Sequence, residues 1–168
     1  MYKRQGHERF NFKDVGGRLY GYFQSSAKAG GLNLWGIDPN ATADTLDKVL
    51  VIFVAKHPHG GQRVVGWYRD ATVYATFQPP VGAERSDCGY QVECSVRDAV
   101  LLPEDQRAWL VPTGPGGMLR THVRYPYDGT GTLNIPTWWS DILHNLKRYD
   151  GPNLIVPMST NGLTPRHR

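Results

Sequence analysis

Histidine, cysteine and carboxylate side chains could bind a metal ion, but their spacing in this sequence predicts no such site. His57 and His59 stand two apart in a Gly/Pro loop without a neighbouring cysteine or carboxylate, so a solvated loop is favoured over a zinc site. Neither Cys-x-x-Cys nor His-Glu-x-x-His occurs. Cys88 and Cys94 are six apart, and two cysteines in a cytoplasmic domain are more often free thiols than a disulfide. We therefore expect no metal ion and two free thiols.

The motifs of the common catalytic sites are also missing from the sequence. Gly-x-Ser-x-Gly is absent, and the glycine-rich Thr113–Gly117 has neither the lysine nor the following helix of a phosphate-binding loop. His144-Asn145 lacks the surroundings of an HNH nuclease, and Asp87 and Glu93 lack the lysine of a metal-dependent nuclease core. We therefore predict no catalytic residue and no cofactor, and expect that this chain alone is not an enzyme.

Aromatic side chains are the remaining candidates for chemistry. The 168 residues include nine tyrosines, five tryptophans and five phenylalanines. Aromatic rings sandwich flat ligands, and stacking contributes about 1 to 3 kcal/mol per nucleic-acid base. Most aromatics of a small β fold belong to its core, and we expect one or two of these to line a pocket. Those that stand closest together are Tyr20, Tyr22, Phe23, Trp35, Trp67, Tyr68 and Tyr74.

The charge balance favours a partner that carries phosphate. The net charge is +4 with a pI of about 9.1, and basic residues concentrate at 3–18, 120–124 and 147–168. No run approaches the ~18 apolar residues of a membrane span. The first charges are not followed by the apolar core of a signal peptide. We therefore expect a cytoplasmic protein without a membrane partner.

The elements that must position these residues are short strands and one helix. Val49–Ala55 is almost entirely β-branched or aromatic, which is typical of a strand buried on both faces. An amphipathic helix is predicted at about 136–149, with a proline in its first turn and Trp138, Ile142 and Leu146 on one face. Further strands are predicted at 18–24, 90–100, 107–112 and 119–125, and one or two helical turns at 41–48.

Two strands are predicted at 62–68 and 71–77, joined by a tight connection at Arg69-Asp70. Alternation within the first strand places Trp67 and Tyr68 on opposite faces, so only one of them can reach a shared pocket. The whole pattern predicts an α+β domain, in which a small curved sheet or barrel packs against a helix.

The stretch Gly61–Tyr74, GQRVVGWYRDATVY, resembles a signature of PUA-like domains of the EVE and YTH type. Supporting pieces are Tyr20-Gly21-Tyr22, Leu102-Pro103 and Val123-Arg124-Tyr125. The resemblance implies a small twisted β-barrel with flanking helices. It divides the chain into a polar basic arm at 1–17, one base-binding domain at 18–157 and a polar tail or linker at 158–168.

The same resemblance implies a function. Such domains occur ahead of an HNH-type nuclease in modification-dependent restriction endonucleases, where a pocket accepts one flipped-out modified base. The expected partner is double-stranded DNA carrying a methylated or hydroxymethylated cytosine, with a covalently linked nuclease module as one arrangement. The candidate pocket residues are Trp35, Trp67, Tyr68 and Tyr22, with Asp38 or Asp70 binding the base edge. The candidate phosphate-binding residues are Arg18, Arg69, Arg120 and Arg124.

Three alternatives stay open at this point. An RNA-binding module for a modified or unpaired base would depend on the 2′-hydroxyl. An enzyme with dispersed catalytic residues would use His57, His59 and Glu93. A protein-interaction domain would present an exposed aromatic patch, and its binding would survive high salt.

Overall fold

One long strand organises the sheet. The computed structural model describes residues 10–24, 31–82, 89–118 and 123–155. Its elements in chain order are β1 (Arg18–Gly21), α1 (Leu34–Ile37), β2 (Thr45–Lys56), β3 (Gln62–Gln78), β4 (Tyr90–Ser95), β5 (Ala99–Leu101), β6 (Leu110–Val111) and α2 (Thr137–Arg148). One edge of β3 pairs with β2, the other pairs with β6, β5 and β4 in turn, and β1 pairs with β4. All of these pairs are antiparallel.

The α+β class is confirmed, but the barrel is not closed. A barrel needs a hydrogen-bonded ladder between its first and last strands. In the described part of the chain β1 and β2 form no such ladder, so the sheet is open with the order β1-β4-β3-β2. The predicted small twisted β-barrel is therefore not closed in these residues. Of the predicted flanking helices, the described residues contain the four-residue α1 and the longer α2.

β3 is a single strand of 17 residues where two strands were predicted. Arg69 and Asp70 form a β-bulge instead of a turn, because both lie between the pairs Val51↔Tyr68 and Val49↔Ala71. Asp70 has a φ of +47°, and Lys48 on the facing strand has a φ of +59°. Asp tolerates this conformation better than most residues, and bulges bend a strand without ending it. The two strands therefore bend together. One or two helical turns were predicted at 41–48, but β2 already begins at Thr45.

A hydrophobic cluster lies on each face of β3. The first contains Tyr68, Phe53 and Val92, and residues 10–17 contribute to it through Phe12, whose ring lies 5.0 Å from that of Phe53. Tyr68 also donates a hydrogen bond to the Asn11 carbonyl. The described part of the predicted basic arm is therefore packed against the sheet. Residues 1–9 of the arm and 158–168 of the predicted tail lie outside the described residues.

The second cluster docks α2 on the other face. It contains Trp67, Ile142 and Leu146, and the Trp67 ring lies 5.6 Å from both Trp109 and Tyr149. The helix matches its predicted position, and its last turn carries Lys147 and Arg148, which the helix dipole favours. Trp67 and Tyr68 thus do lie on opposite faces, as the alternation predicted.

The apolar run in β2 is not buried on both faces, which corrects the prediction for Val49–Ala55. Only Phe53 is buried, and Leu50 is exposed. The run is apolar because Phe53 faces the first cluster while Ile52 and Val54 face the second. Among the described residues β2 has no partner strand on its outer side, so it is an edge strand that serves two cores.

Replacing Trp67 with alanine should lower the free energy of unfolding by about 3–5 kcal/mol, because it removes the ring that holds α2 on the sheet. Chemical denaturation followed by far-UV circular dichroism measures the change. Trp35→Ala is the matched control for the loss of an indole and should have a clearly smaller effect, since Trp35 is 40% exposed whereas Trp67 is fully buried. Equal effects of the two variants would contradict the packing described for the second cluster.

Candidate ligand-binding site

A cavity of about 920 Å³ is lined by most of β2 and also reaches Val65 and Val73 of β3 and Val92 of β4. Ten consecutive residues of the strand, Leu46–Ala55, line it. Because successive strand residues point to opposite faces, a cavity that touches all ten must follow the strand edge. The facing wall consists of Met118, Val123, Arg124, Tyr125, Pro126 and Ile135, with Trp138, Trp139, Ile142 and Leu143 of α2. Its volume lies in the range of small-molecule sites.

Arg124, Trp138 and Trp139 form an aromatic corner of this cavity. The two indole rings are stacked, with centroids 6.1 Å apart and planes inclined by 18°. The Arg124 Cζ atom lies 5.8 Å from each centroid, within the range of a cation–π contact. All three residues are half-buried, so the corner combines flat apolar faces with a cation beside them.

The glycine-rich turn at 113–117 holds the aromatic corner in place. Trp138 Nε1 donates to the Gly116 carbonyl at 2.7 Å, and Arg124 Nη1 donates to the Gly117 carbonyl at 3.3 Å. A Cβ atom on Gly117 would lie 2.1 Å from the Pro112 carbonyl oxygen, so no other residue fits there without a shift of the backbone. This glycine-rich turn, which lacks the lysine of a phosphate-binding loop, therefore positions the Trp138 and Arg124 side chains.

Contacts between residues 125–127 and α1 place a carboxylate in the same cavity. The Asn33 amide donates to the Tyr125 hydroxyl at 2.9 Å, and the Tyr127 amide donates to the Gly36 carbonyl at 3.0 Å. Burial raises the pKa of Tyr125, which keeps its hydroxyl neutral. Asp38 follows α1 directly and lines the cavity, and its Oδ1 accepts a hydrogen bond from the Asn40 amide at 2.9 Å.

The cavity lining mixes a few charges with many aliphatic groups. Its charged residues are Asp38, Asp47, Lys48 and Arg124. Arg124 Nε is buried and has no hydrogen-bond partner among the described residues. The lining therefore combines aliphatic and aromatic surface with a few charged groups.

Two predicted pocket residues, Trp67 and Tyr68, do not line this cavity. Both are 0% exposed, one in each hydrophobic cluster. This corrects their assignment: β3 is the central strand, and both of its faces are covered, so its large aromatics are used in packing. The space beside Gly66 is occupied by other residues of the protein and not by a ligand. A Cβ atom there would lie 2.4 Å from the Val100 carbonyl oxygen.

The other predicted pocket residues are dispersed. Of the six predicted pocket residues, Asp38 lines the cavity and the other five do not. Trp35 is exposed on α1 near Gly131, and Tyr22 contacts Phe77 with ring centroids 5.6 Å apart, both away from the cavity. Asp70 is exposed at the β3 bulge and is not part of the cavity lining. The structure thus does not bring the predicted pocket residues together.

The predicted phosphate-binding residues also lie apart. Arg18 on β1 forms an ion pair with Glu93 at 3.5 Å, and Arg69 is exposed at the bulge with its Cζ 6.0 Å from the Trp67 ring. Arg120 lies outside the described residues. Arg124 belongs to the aromatic corner inside the cavity.

Sequence reasoning missed the pocket tryptophans Trp138 and Trp139. Trp138 was assigned to the apolar stripe of the helix and Trp139 to no role. Trp139 itself could have indicated the cavity. It is a large aromatic residue next in sequence to the apolar stripe with which the helix packs on the sheet. Such a residue in a first helical turn must be partly exposed or line a cleft.

The residues of the enzyme alternative lie at different places along β3: His57 and His59 are in the loop before it, whereas Glu93 on β4 pairs with Thr72. Glu93 accepts from the Tyr74 hydroxyl at 3.0 Å, and burial together with this carboxylate raises the pKa of Tyr74. The His57 and His59 rings are 5.3 Å apart, and the His59 amide donates to His57 Nδ1. Within residues 10–24, 31–82, 89–118 and 123–155 no three metal-binding side chains come together.

Comparison with protein families, curated proteins and solved structures finds no match to this chain. Among the described residues, no helix is long and apolar enough to cross a membrane.

The Cys94 thiol should resist alkylation in the folded protein. It is 1% exposed, and burial, with a smaller contribution from Asp98, raises its pKa to about 12. At about pH 8 almost no thiolate forms, whereas an unfolded thiol with a pKa near 8.5 is partly ionised. Iodoacetamide treatment of native and urea-unfolded protein, followed by mass mapping of the Cys94 peptide, measures this. Equal labelling in both states would contradict the burial of Cys94.

Proposed function

We propose that this domain binds nucleic acid and holds one unpaired, modified base against the aromatic corner. The expected ligand is double-stranded DNA that carries a methylated or hydroxymethylated cytosine. In that role the domain would direct a linked nuclease of a modification-dependent restriction system. The observation that carries the proposal is the stacked Trp138–Trp139 pair, with Arg124 beside it, at the wall of a large cavity.

Stacking on an aromatic ring can offset the free-energy cost of extruding a base. Taking a base out of a duplex costs a few kcal/mol, and a ring that stacks on it returns about 1 to 3 kcal/mol. Trp139 is half-buried at the cavity wall and does not belong to the second cluster, so a base that contacts its ring would leave that cluster packed. The residues first predicted for this task, Trp67 and Tyr68, would have to leave the core to contact a base.

The rest of the lining is compatible with a modified pyrimidine. Val51, Ile142 and Leu143 offer apolar contacts to a methyl group. The Asp38 carboxylate in the same cavity can accept a hydrogen bond from an exocyclic amino group, as carboxylates do from cytosine. The site therefore has both an apolar surface for the modification and a polar group for the base.

Phosphate contacts are assigned to the exposed end of α2. Lys147 and Arg148 are exposed in its last turn, about 14 Å along the helix from Trp138 at 1.5 Å per residue. Cations at this distance could hold the backbone on either side of an extruded nucleotide without reading its sequence. Binding should consequently weaken as the salt concentration rises.

Fluorescence anisotropy with labelled short duplexes tests the proposal. The duplexes are identical except for one cytosine, 5-methylcytosine or 5-hydroxymethylcytosine, and a matching RNA duplex is included. We expect tighter binding of a modified DNA duplex, reduced about 5- to 150-fold by Trp139→Ala through the lost stacking. Trp35→Ala, the same change at an exposed position outside the cavity, should leave the affinity unchanged.

Three results would argue against the proposal. Equal affinity for all DNA duplexes, with no effect of Trp139→Ala, would leave only a basic surface that binds phosphate. Tighter binding of the RNA duplex would favour the RNA-binding alternative, since the 2′-hydroxyl is the group that separates the two ligands. Binding that survives high salt would favour a protein partner.

A further inference from the structure

Lys48 has a backbone conformation that its residue type disfavours. Its φ is +59°, in the left-handed region, and among the described residues Asp70 is the only other non-glycine residue with a positive φ. In this region the Cβ atom of an L-residue comes too close to the following carbonyl oxygen, and lysine has no short polar side chain that could compensate by a local hydrogen bond. Glycine has no Cβ atom and adopts this conformation without that cost. Backbone preference therefore does not account for a lysine at this position.

The packing of the sheet requires a bulge at Lys48 but does not require its side chain. Leu46 pairs with Val73 and Val49 pairs with Ala71, so the two residues between Leu46 and Val49 oppose a single residue of β3. The extra residue keeps Leu46 and Val49 on the same face, where both pack against the first cluster. Glycine is the usual residue at a left-handed bulge position. A glycine at this position would thus preserve the packing and remove the strain.

The side chain of Lys48 lies at an opening of the cavity. Lys48 is exposed and also lines the cavity, so it stands where the cavity meets solvent. The three other charged residues of the lining each have a hydrogen-bond partner in the protein, namely Asp38, Asp47 and Arg124. Among the described residues, Lys48 forms no ion pair with a carboxylate. Its ammonium group is therefore the charged group of the described lining that has no protein partner.

A base that enters the cavity brings its backbone phosphates to an opening. The base is joined through its sugar to two phosphates, which cannot follow it into an aliphatic cavity without a large desolvation cost. They stay in contact with solvent, where an exposed ammonium can bind one of them as a point charge. The neighbouring Asp47 carboxylate accepts a hydrogen bond from the Thr72 hydroxyl at 2.7 Å, which directs it toward β3. Lys48 is therefore placed to contact an anion at the opening.

We propose that Lys48 binds one of the two phosphates that flank the extruded nucleotide, and that lysine is retained at this bulge for that contact although glycine would be more stable there. The inference rests on the proposed function, because it assigns a backbone contact of the same ligand. Stability that is given up for binding in this way is a common property of functional sites.

Anisotropy titrations with neutralised phosphates test the contact. Each duplex carries 5-methylcytosine or 5-hydroxymethylcytosine, whichever the native protein binds more tightly. An uncharged methylphosphonate replaces the phosphate on the 5′ side of this base, on its 3′ side, or several nucleotides away. We expect Lys48→Gln to weaken binding of the unsubstituted duplex about tenfold, and to reduce the slope of log K against log salt by about one.

A double-mutant cycle then joins the protein change to the DNA change. One of the two flanking methylphosphonates should weaken binding by the native protein and have no further effect on Lys48→Gln, because both changes remove the same interaction. Lys56→Gln is the matched control, since it removes the same charge from an exposed position of the same strand outside the cavity lining. This control should respond to each methylphosphonate as the native protein does.

The stability of a glycine variant tests why lysine is retained. Lys48→Gly should unfold at a urea concentration no lower than the native protein, because relief of the backbone strain offsets the greater freedom of glycine in the unfolded chain. The same variant should lose DNA affinity as Lys48→Gln does. A lower urea midpoint for Lys48→Gly would show that the lysine supports the fold, and would overturn its retention for binding.

The remaining outcomes separate this inference from the proposed function. Equal losses in Lys48→Gln and Lys56→Gln on every duplex would make Lys48 part of a general basic surface and overturn the inference. Losses from Lys48→Gln and from the flanking methylphosphonates that simply add would do the same, because Lys48 would then contact another group. In both cases a loss of affinity in Trp139→Ala would still support the stacking site. Binding that responds to neither the modified base nor Trp139→Ala would overturn the proposed function itself.

Discussion

The burial of two adjacent aromatic residues on opposite faces of one strand is the constraint on which the rest of the structure depends. Trp67 and Tyr68 are both fully enclosed, so β3 needs an apolar layer on each face. The N-terminal segment around Phe12 and the strands β1 and β4 provide one layer, and α2 with Trp109 and Tyr149 provides the other. Each layer buries a ring that would otherwise leave a large apolar area in water.

This double burial also explains the position of the cavity. β2 touches both layers from the edge of the sheet, so its side chains are apolar on both faces although most are only half-buried. α2 and residues 123–126 face that edge across the cavity. An apolar strand edge is usually paired or covered in stable proteins. Here the cover leaves a space, and Arg124, Trp138 and Trp139 stand at its wall.

The aromatic corner of the candidate site depends on the backbone geometry of the glycine turn. Its guanidinium and one of its indoles are held by two successive carbonyls of a glycine turn, which exists only because Gly117 has no side chain. Two groups that could have been reactive, Cys94 and Glu93, are used in packing and in local polar contacts. Cys94 is buried with a raised pKa, and Glu93 accepts from Tyr74 while pairing with Arg18.

The sequence by itself determined the elements whose patterns are local. The α+β class, the amphipathic helix at 137–148 and the opposite faces of Trp67 and Tyr68 follow from periodicity, because neighbouring side chains are related by the geometry of a strand or a helix. Only the tertiary structure decided that 62–78 is one bulged strand, that β2 lies at an edge and that the sheet is open, since these depend on which strands pair. It also decided which aromatics are core and which line the cavity. Trp67 and Trp139 are the same residue type in favourable local patterns, and what separates them is contact with segments distant in the chain, which no local pattern encodes.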